Sequence, residues 1–442
     1  MNVKVEAQLA EFVIRTRLSD IPPEVIGFAK SLMLKTIAGL ACGAAKPTGR
    51  KMAEIVRSHN AGADVRVIKC DFRTSLWESV FLHSYLAHAS ELEDDRNNGG
   101  TSWDITVIPL LLSLGEKLQL SGKAFTEALV AGLEVHTRTC LFGAEHMGLS
   151  LVPGAIGPAV AAAKAMGLNR EQTTAAMGLG MSCAPLAFSN YGTDAHFLES
   201  SLQALHGLMA AEMAKQGLTG NPDITTYLSN FLGADKVISE KMVDQLGKKW
   251  ILCEIWIKKY PCCFRTHRQV DMLLGLMKEH GLRYDEIASV DAPISTSDAL
   301  LNRPEPRTEG DLQFSMQHIL GAAMLDGDVN LDNINDDAAT DSRFRNARRK
   351  VNVFTDPSLP RPSRSAPARI TLKTNQGEAF PSQRMYPIGA PQDPLSAEQI
   401  RKLYFKFGRG ALTEKQLQSA AEAIDNLDQL GSMTELTDIL MD

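Results

Sequence analysis

Four acids crowd into five positions at Glu91, Glu93, Asp94 and Asp95, and Arg96 follows them directly. The stretch that holds them, residues 87–109 (AHASELEDDRNNGGTSWDITVIP), leaves an apolar helix, crosses a polar glycine-containing loop and enters a second apolar helix. Carboxylates at a helix end can move protons, and donors ahead of a new helix N-terminus can hold an anion. Asp104 is the expected N-cap of the second helix. The same residues also suit a solvated helix end and its turn, because most charge clusters are surface features. Elsewhere His196 sits in a Gly-Thr-Asp turn, where an imidazole is useful near neutral pH, and a simple loop histidine is the other reading. Arg265 and His267 could supply cationic donors. Arg138 could anchor a carboxylate, or serve only to pair with Glu134 four residues earlier on its helix.

The elements that must position these groups are mostly helical. Apolar residues recur at helical spacing from residue 6 to 18, and Asp20 with Pro22 and Pro23 opens a long helix over 25–42. Helices follow at 50–59, 75–89, 104–118 and 122–142, with a short extended piece at 65–70. Ala-rich and Gly-rich segments at 153–166, 170–183 and 199–216 let helices approach closely, which predicts a packed multi-helix core. After about residue 260 the texture changes. Strand-like runs at 288–296, 350–354, 368–374 and 378–385 alternate with helices near 266–280 and 311–325, a smaller α+β region. From Pro394 the chain is helical again, with Ser396 and Thr413 as expected caps.

Composition bounds the rest. The 442 residues allow two or three domains, and 44% hydrophobic with 22% charged residues is the profile of an ordinary globular protein. A net charge of −6 gives no sign of a nucleic-acid or anionic-membrane partner. Seven cysteines without zinc-finger spacing suit free thiols in a reducing compartment, and no metal is assigned. No leader and no apolar run near the roughly 20 residues of a membrane span are read, so a cytoplasmic location is expected. Gly-rich dinucleotide loops, Walker A, HExxH and GxSxG motifs are absent.

Several stretches, in order, resemble the MmgE/PrpD family of 2-methylcitrate dehydratase, cis-aconitate decarboxylase and iminodisuccinate epimerase. They include AHASELEDD (87–95), ALVAGLEVHTR (128–138), YGTDAHFL (191–198), IKKYPCCFRTHRQVD (257–271), RPEPRTEGDLQFS (303–315) and PLSAEQIRKLYFKF (394–407). The resemblance implies a mainly α fold, with a large all-helical domain from both chain ends (1–265 and 395–442) and an inserted α+β lid domain (266–394). It further implies a homodimer without an organic cofactor. The expected reaction is proton transfer next to a carboxylate of a small di- or tricarboxylate in the interdomain cleft, followed by loss of water or CO2. Epimerisation by two bases, or a non-catalytic binding descendant, is the alternative.

Residue roles carry over only where the motif matches. Asp94 matches the second Asp of the family's DFDD, and Lys258 matches a lysine that would pair with a substrate carboxylate. Cys263 stands where some decarboxylases have His. The departures are as informative: the family's His-Pro falls on Ser102 and Trp103, its lysine after Gly-Thr on His196, and a tyrosine after Phe-Ser on His318. The resemblance thus implies a rebuilt acid/base pair of His196 and His318, with Asp94 and Lys258 completing the expected catalytic residues. Arg96, Ser102, Trp103, Arg138, Tyr191, Cys263, Arg265 and His267 are expected to bind substrate.

Overall fold

A computed structural model describes residues 4–95, 102–139, 155–182, 190–361 and 363–441. It resolves into two compact units. Unit 1 comprises Met1–Ala187, Phe197–Trp256 and Ser396–Asp442, and unit 2 comprises Phe188–His196 and Ile257–Leu395. The second unit begins at Ile257, where the resemblance implied 266, and takes in a short piece around Tyr191 and His196 that the resemblance implied for the helical body.

Unit 1 carries α1 (Val5–Arg15), α2 (Pro23–Ala45), α3 (Pro47–His59), α4 (Leu76–Ala89), α5 (Asp104–Leu118), α6 (Gly122–Thr139), α7 (Ile156–Ala165) and α8 (Arg170–Gly180). After these come α9 (Ala195–Lys215), α10 (Ile224–Leu232) and α11 (Ser239–Val243). Its only described strands, β1 (Val65–Arg66) and β2 (Arg73–Thr74), form a small antiparallel hairpin. The long helix α2 begins with Pro23, whose missing N–H costs nothing in the first turn. It is apolar because it is central: α4 and α5 pack on it, and 78% of its most apolar window is buried. By length and hydropathy α2 could cross a membrane, which corrects the expectation that no such run exists; burial in a core accounts for the same composition. Its contact with α4 is close enough that a Cβ on Gly43 would lie 1.8 Å from the Leu86 carbonyl oxygen, so only glycine fits.

Unit 2 holds α12 (His267–His280), α13 (Glu309–Gln313), α14 (Met316–Asp326), α15 (Asp336–Thr340) and α16 (Ser342–Arg349). Its sheet orders β4 (Val351–Thr355), β3 (Ile287–Ile294), β5 (Ala368–Thr374) and β6 (Ala379–Arg384), with β3 and β4 parallel and the other pairs antiparallel. Buried Ala368, Ile370, Leu372 and Thr374 alternate with exposed or half-buried neighbours along β5. That period of two marks a sheet with one face packed, here against α12. All four strand-like runs of the sequence are strands.

The chain then returns to unit 1 with α17 (Ala397–Gly408), α18 (Glu414–Asp425) and α19 (Thr434–Met441). Ser396 and Thr413 close reciprocal capping boxes with Gln399 and Gln416, as their sequence positions predict. Helix α17 packs along α2, burying Tyr404 and Phe407. The fold is mainly α with a smaller α+β part.

Candidate active site

The acid-rich stretch is not a solvated turn. Glu91, Glu93 and Asp94 are all buried, Asp94 completely. Glu91 adopts φ +54°, a left-handed conformation that costs a non-glycine residue roughly 1 kcal/mol and is found where the surroundings over-determine the backbone. Antiparallel bridging fixes the end of the stretch: the Asp95 N–H donates to the Trp256 carbonyl at 3.1 Å, and the Trp256 N–H returns a bond of 2.6 Å.

Asp94 lies in a cluster of buried polar groups drawn from three places in unit 1. Lys35, on α2 and 1% exposed, makes a short ion pair with Asp94 Oδ1. The Asp94 N–H donates to Asp104 Oδ1 at 3.0 Å, and Thr36 Oγ1 lies 2.9 Å from Asp104 Oδ2. Asp104 is fully buried at the first position of α5; Trp103 occupies the N-cap, so the expected capping role is corrected. Burial first, and then the charge of Asp94, push the Asp104 carboxyl up to about 7, against the pull of Lys35 and Thr36. Lys35 and Thr36 were not singled out from sequence, and Asp104 only as a helix cap. The available signal was a lone lysine inside the apolar run Met33-Leu34-Lys35-Thr36-Ile37, which cannot be buried without an anion.

Trp103 is buried on the other side of the same turn, its ring edge-on to His136 at 6.2 Å. The indole Nε1 and both His136 nitrogens are buried without a hydrogen-bond partner among the described residues. Burial drives the His136 imidazole down to about 3, so it is neutral. Ser102 is half-buried ahead of Trp103, and Arg96 lies outside the described residues. Arg138 has a different placement from the one expected of an anchor. Its Nε bonds Glu134 at 2.6 Å, and its two terminal nitrogens donate to the carbonyls of Met242, Asp244 and Lys249. Glu134 in turn accepts from the Ile251 and Leu252 N–H groups. This fully buried pair clamps residues 242–252 onto α6, and the i,i+4 pairing with Glu134 is the reading that fits.

In unit 2, Tyr191 stacks on Phe314 with ring centres 5.3 Å apart, and His196 stands edge-on to both rings at 4.7 and 5.7 Å. Gly192, at φ +83°, lets this piece pass against the Arg303 guanidinium, which donates to the Tyr191 carbonyl at 2.7 Å. His196 is 7% exposed and lies in the first turn of α9. Lys258 is 1% exposed in a segment pinned by the Ile257 N–H to the Gly389 carbonyl (2.9 Å) and by Tyr260 Oη to Asp271 (3.0 Å). Cys263 is buried, its N–H bonded to the Gln313 carbonyl at 2.9 Å. Arg265 bonds Asp298 at 2.8 Å, and that carboxylate, aided by Tyr191 and Cys263, holds its pKa above the ordinary value despite burial. His267 stacks on Phe264 at 4.5 Å with Nε2 3.3 Å from the Cys262 carbonyl.

His318 is placed unlike a free base. Its Nε2 donates to the Asn333 carbonyl at 2.7 Å, which leaves Nδ1 to accept from Arg348 at 3.2 Å. Burial lowers it to about 4, so the ring is a neutral strut between α14, α16 and the residue 333 turn. His318 stands against Phe344, whereas His196 stands against Tyr191 and Phe314.

Comparison with known proteins agrees with this architecture. The MmgE/PrpD N-terminal domain matches residues 7–240 and the MmgE/PrpD C-terminal domain residues 260–429. A cis-aconitate decarboxylase-like protein, oryM of Aspergillus oryzae, is 24% identical over 464 residues, covering 98% of this chain and 96% of its own. Cis-aconitate decarboxylases of Mus musculus (23%, covering 100% of this chain and 94% of theirs) and Aspergillus terreus (22%, 99% and 96%) are similar along their length. The family match and these relatives support a lyase of the decarboxylase or dehydratase class. The chain belongs to the MmgE/PrpD family.

Proposed function

We propose that this lyase acts on a small di- or tricarboxylate, removing CO2 or water after proton transfer next to a carboxylate, and that cis-aconitate is the first substrate to test. The observation that carries the reading is the buried Lys35–Asp94 pair with Asp104 beside it, at the point where the sequence matches the family's acidic motif. A carboxylate excluded from water and fixed by a cation acts as base or hydroxyl holder without reorganising during the reaction. In this reading Asp94 and His196 are the proton-transfer groups, and Lys258 pairs with a substrate carboxylate. Ser102, Trp103, Tyr191, Cys263 and His267 keep the substrate-binding roles that the resemblance implies.

The relatives' names favour decarboxylation over dehydration. The two-base epimerase reading needs His318 as a partner of His196, and the hydrogen bonds at both His318 nitrogens weigh against it. Incubation with cis-aconitate, methylcitrate, citramalate and iminodisuccinate analogues in D2O separates the outcomes. Release of CO2 from cis-aconitate with one deuterium taken up and the number of carbon–carbon double bonds unchanged, or of water from a hydroxy acid with a new alkene, supports the lyase. Deuterium incorporation with stereochemical scrambling and no release of CO2 or water would replace it with an epimerase.

A further inference from the structure

Thr36 has one hydroxyl proton and two acceptors within reach, the Leu32 carbonyl at 3.0 Å and Asp104 Oδ2 at 2.9 Å. With Asp104 ionised, Thr36 can satisfy only one of them, and the other contact sets two acceptors against each other. With a proton on Asp104 Oδ2 both contacts close: Asp104 donates to Thr36 Oγ1, and Thr36 donates to Leu32. Oδ1 remains to accept the Asp94 N–H at 3.0 Å. Lys35 then faces one ionised carboxylate, that of Asp94, and Lys35, Asp94 and Asp104 together carry no net charge.

We propose that Asp104 is held as the neutral acid while Lys35 keeps Asp94 ionised, so that Asp104 and Lys35 are positioning residues for Asp94, and that loss of the Asp104 proton weakens the site by placing a second buried negative charge beside an anionic substrate. This inference rests on Asp94 serving the reaction. The charged and titratable groups around α5 are consistent with it. From α2 come Lys35 and Thr36, and from the acidic stretch Asp94, with Glu91 and Glu93 also buried there. His83 on α4 faces Ser113, and His136 on α6 faces Trp103; burial keeps both rings neutral. Arg66 of β1 is taken up by Glu116 at the far end of α5 and by Asp438 of α19. Lys164 on α7 bonds the Ile14 and Thr16 carbonyls with Glu127 nearby. The pKa of Asp104, lifted from 3.8 to about 7, points the same way.

The test is Asp104→Asn, whose amide keeps the shape: its oxygen accepts from Asp94 and its NH2 donates to Thr36. With cis-aconitate as probe, wild-type kcat/KM should fall with rising pH above about 7, approaching tenfold per unit, and the Asn variant should lack that limb. Coincident profiles would overturn the proposal. So would an Asn variant that melts normally yet is inactive at every pH. A second arm needs no substrate. Between about pH 4 and pH 7 the native protein keeps a proton on Asp104 that the unfolded chain has released, so the Asp104 contribution to stability falls as pH rises through that window and levels above it. The melting midpoint of the Asn variant should therefore climb relative to wild type across the window; a flat difference overturns the assignment. A climbing difference with no turnover of any probe supports the proton assignment and defeats the lyase reading, so the two failures are distinguishable. Should the Asn variant not fold, the infrared carbonyl band of a protonated carboxyl in wild type decides. Its presence near pH 6 and loss by about pH 8 support the proposal, and its absence overturns it.

Discussion

Lys35 is expensive to bury and more expensive to delete. An ammonium at 1% exposure survives in α2 because Asp94 faces it, and removing one partner of such a pair leaves an uncompensated charge worth about 3–5 kcal/mol. Lys35→Met is therefore expected to lower the free energy of unfolding by that amount at unchanged denaturant slope and to abolish turnover of a carboxylate probe, measured by urea unfolding and steady-state kinetics. Arg138→Met should cost a similar amount, because Glu134 is stranded, but the folded fraction should keep its KM; a rise in KM alone would restore Arg138 as an anchor. Neutral imidazoles give a pH signature of their own. His83 and His136 are lowered to about 3 and His318 to about 4, so below about 6.5 the unfolded chain takes up protons that the folded chain refuses. Stability should fall as pH drops from about 6.5 toward 4, by up to about 1.4 kcal/mol per unit for each ring, three rings outweighing the opposite slope of Asp104. A melting midpoint that rises on acidification would contradict this. At this scale the sequence disclosed Asp94 through the density of acids around it. It hid Lys35, whose partner lies 59 residues away, and it made His318 look available because the bonds to Asn333 and Arg348 are tertiary.

Among elements, legibility followed locality. Caps and strands depend on a few neighbouring residues, so Ser396, Thr413 and the run 368–374 were read close to their observed bounds. Ser396→Ala should cost about 1 kcal/mol without affecting kinetics, a thermal-melt measurement. What depends on packing was not legible. The contact of α2 with α4 at Gly43 and the φ of Glu91 follow from neighbours brought in by the fold. Gly43→Ala would drive a methyl into the Leu86 carbonyl, and separation of the two helices should destabilise by about 1–3 kcal/mol or more on thermal melting. Since α2 also carries Lys35, the same change should displace Asp94 and lower kcat, which a surface alanine would not do.

At the scale of the whole molecule, unit 1 is discontinuous in sequence: α2 near the start is covered by α17 near residue 400. The helical body and the α+β insertion were visible as a change of texture, but the transfer of Phe188–His196 to unit 2 was not, since that short piece is defined by where Tyr191 and His196 pack against Phe314. This arrangement bears on how the chain is made. About 350 residues separate the end of α2 from the start of α17, and at ~5–20 residues per second a ribosome needs roughly 20–70 s to supply the second after the first. For that interval the long apolar helix α2 of the nascent polypeptide waits without this part of its cover, so holdase chaperones, and slow codons before residue 397, should govern how much of the product escapes aggregation.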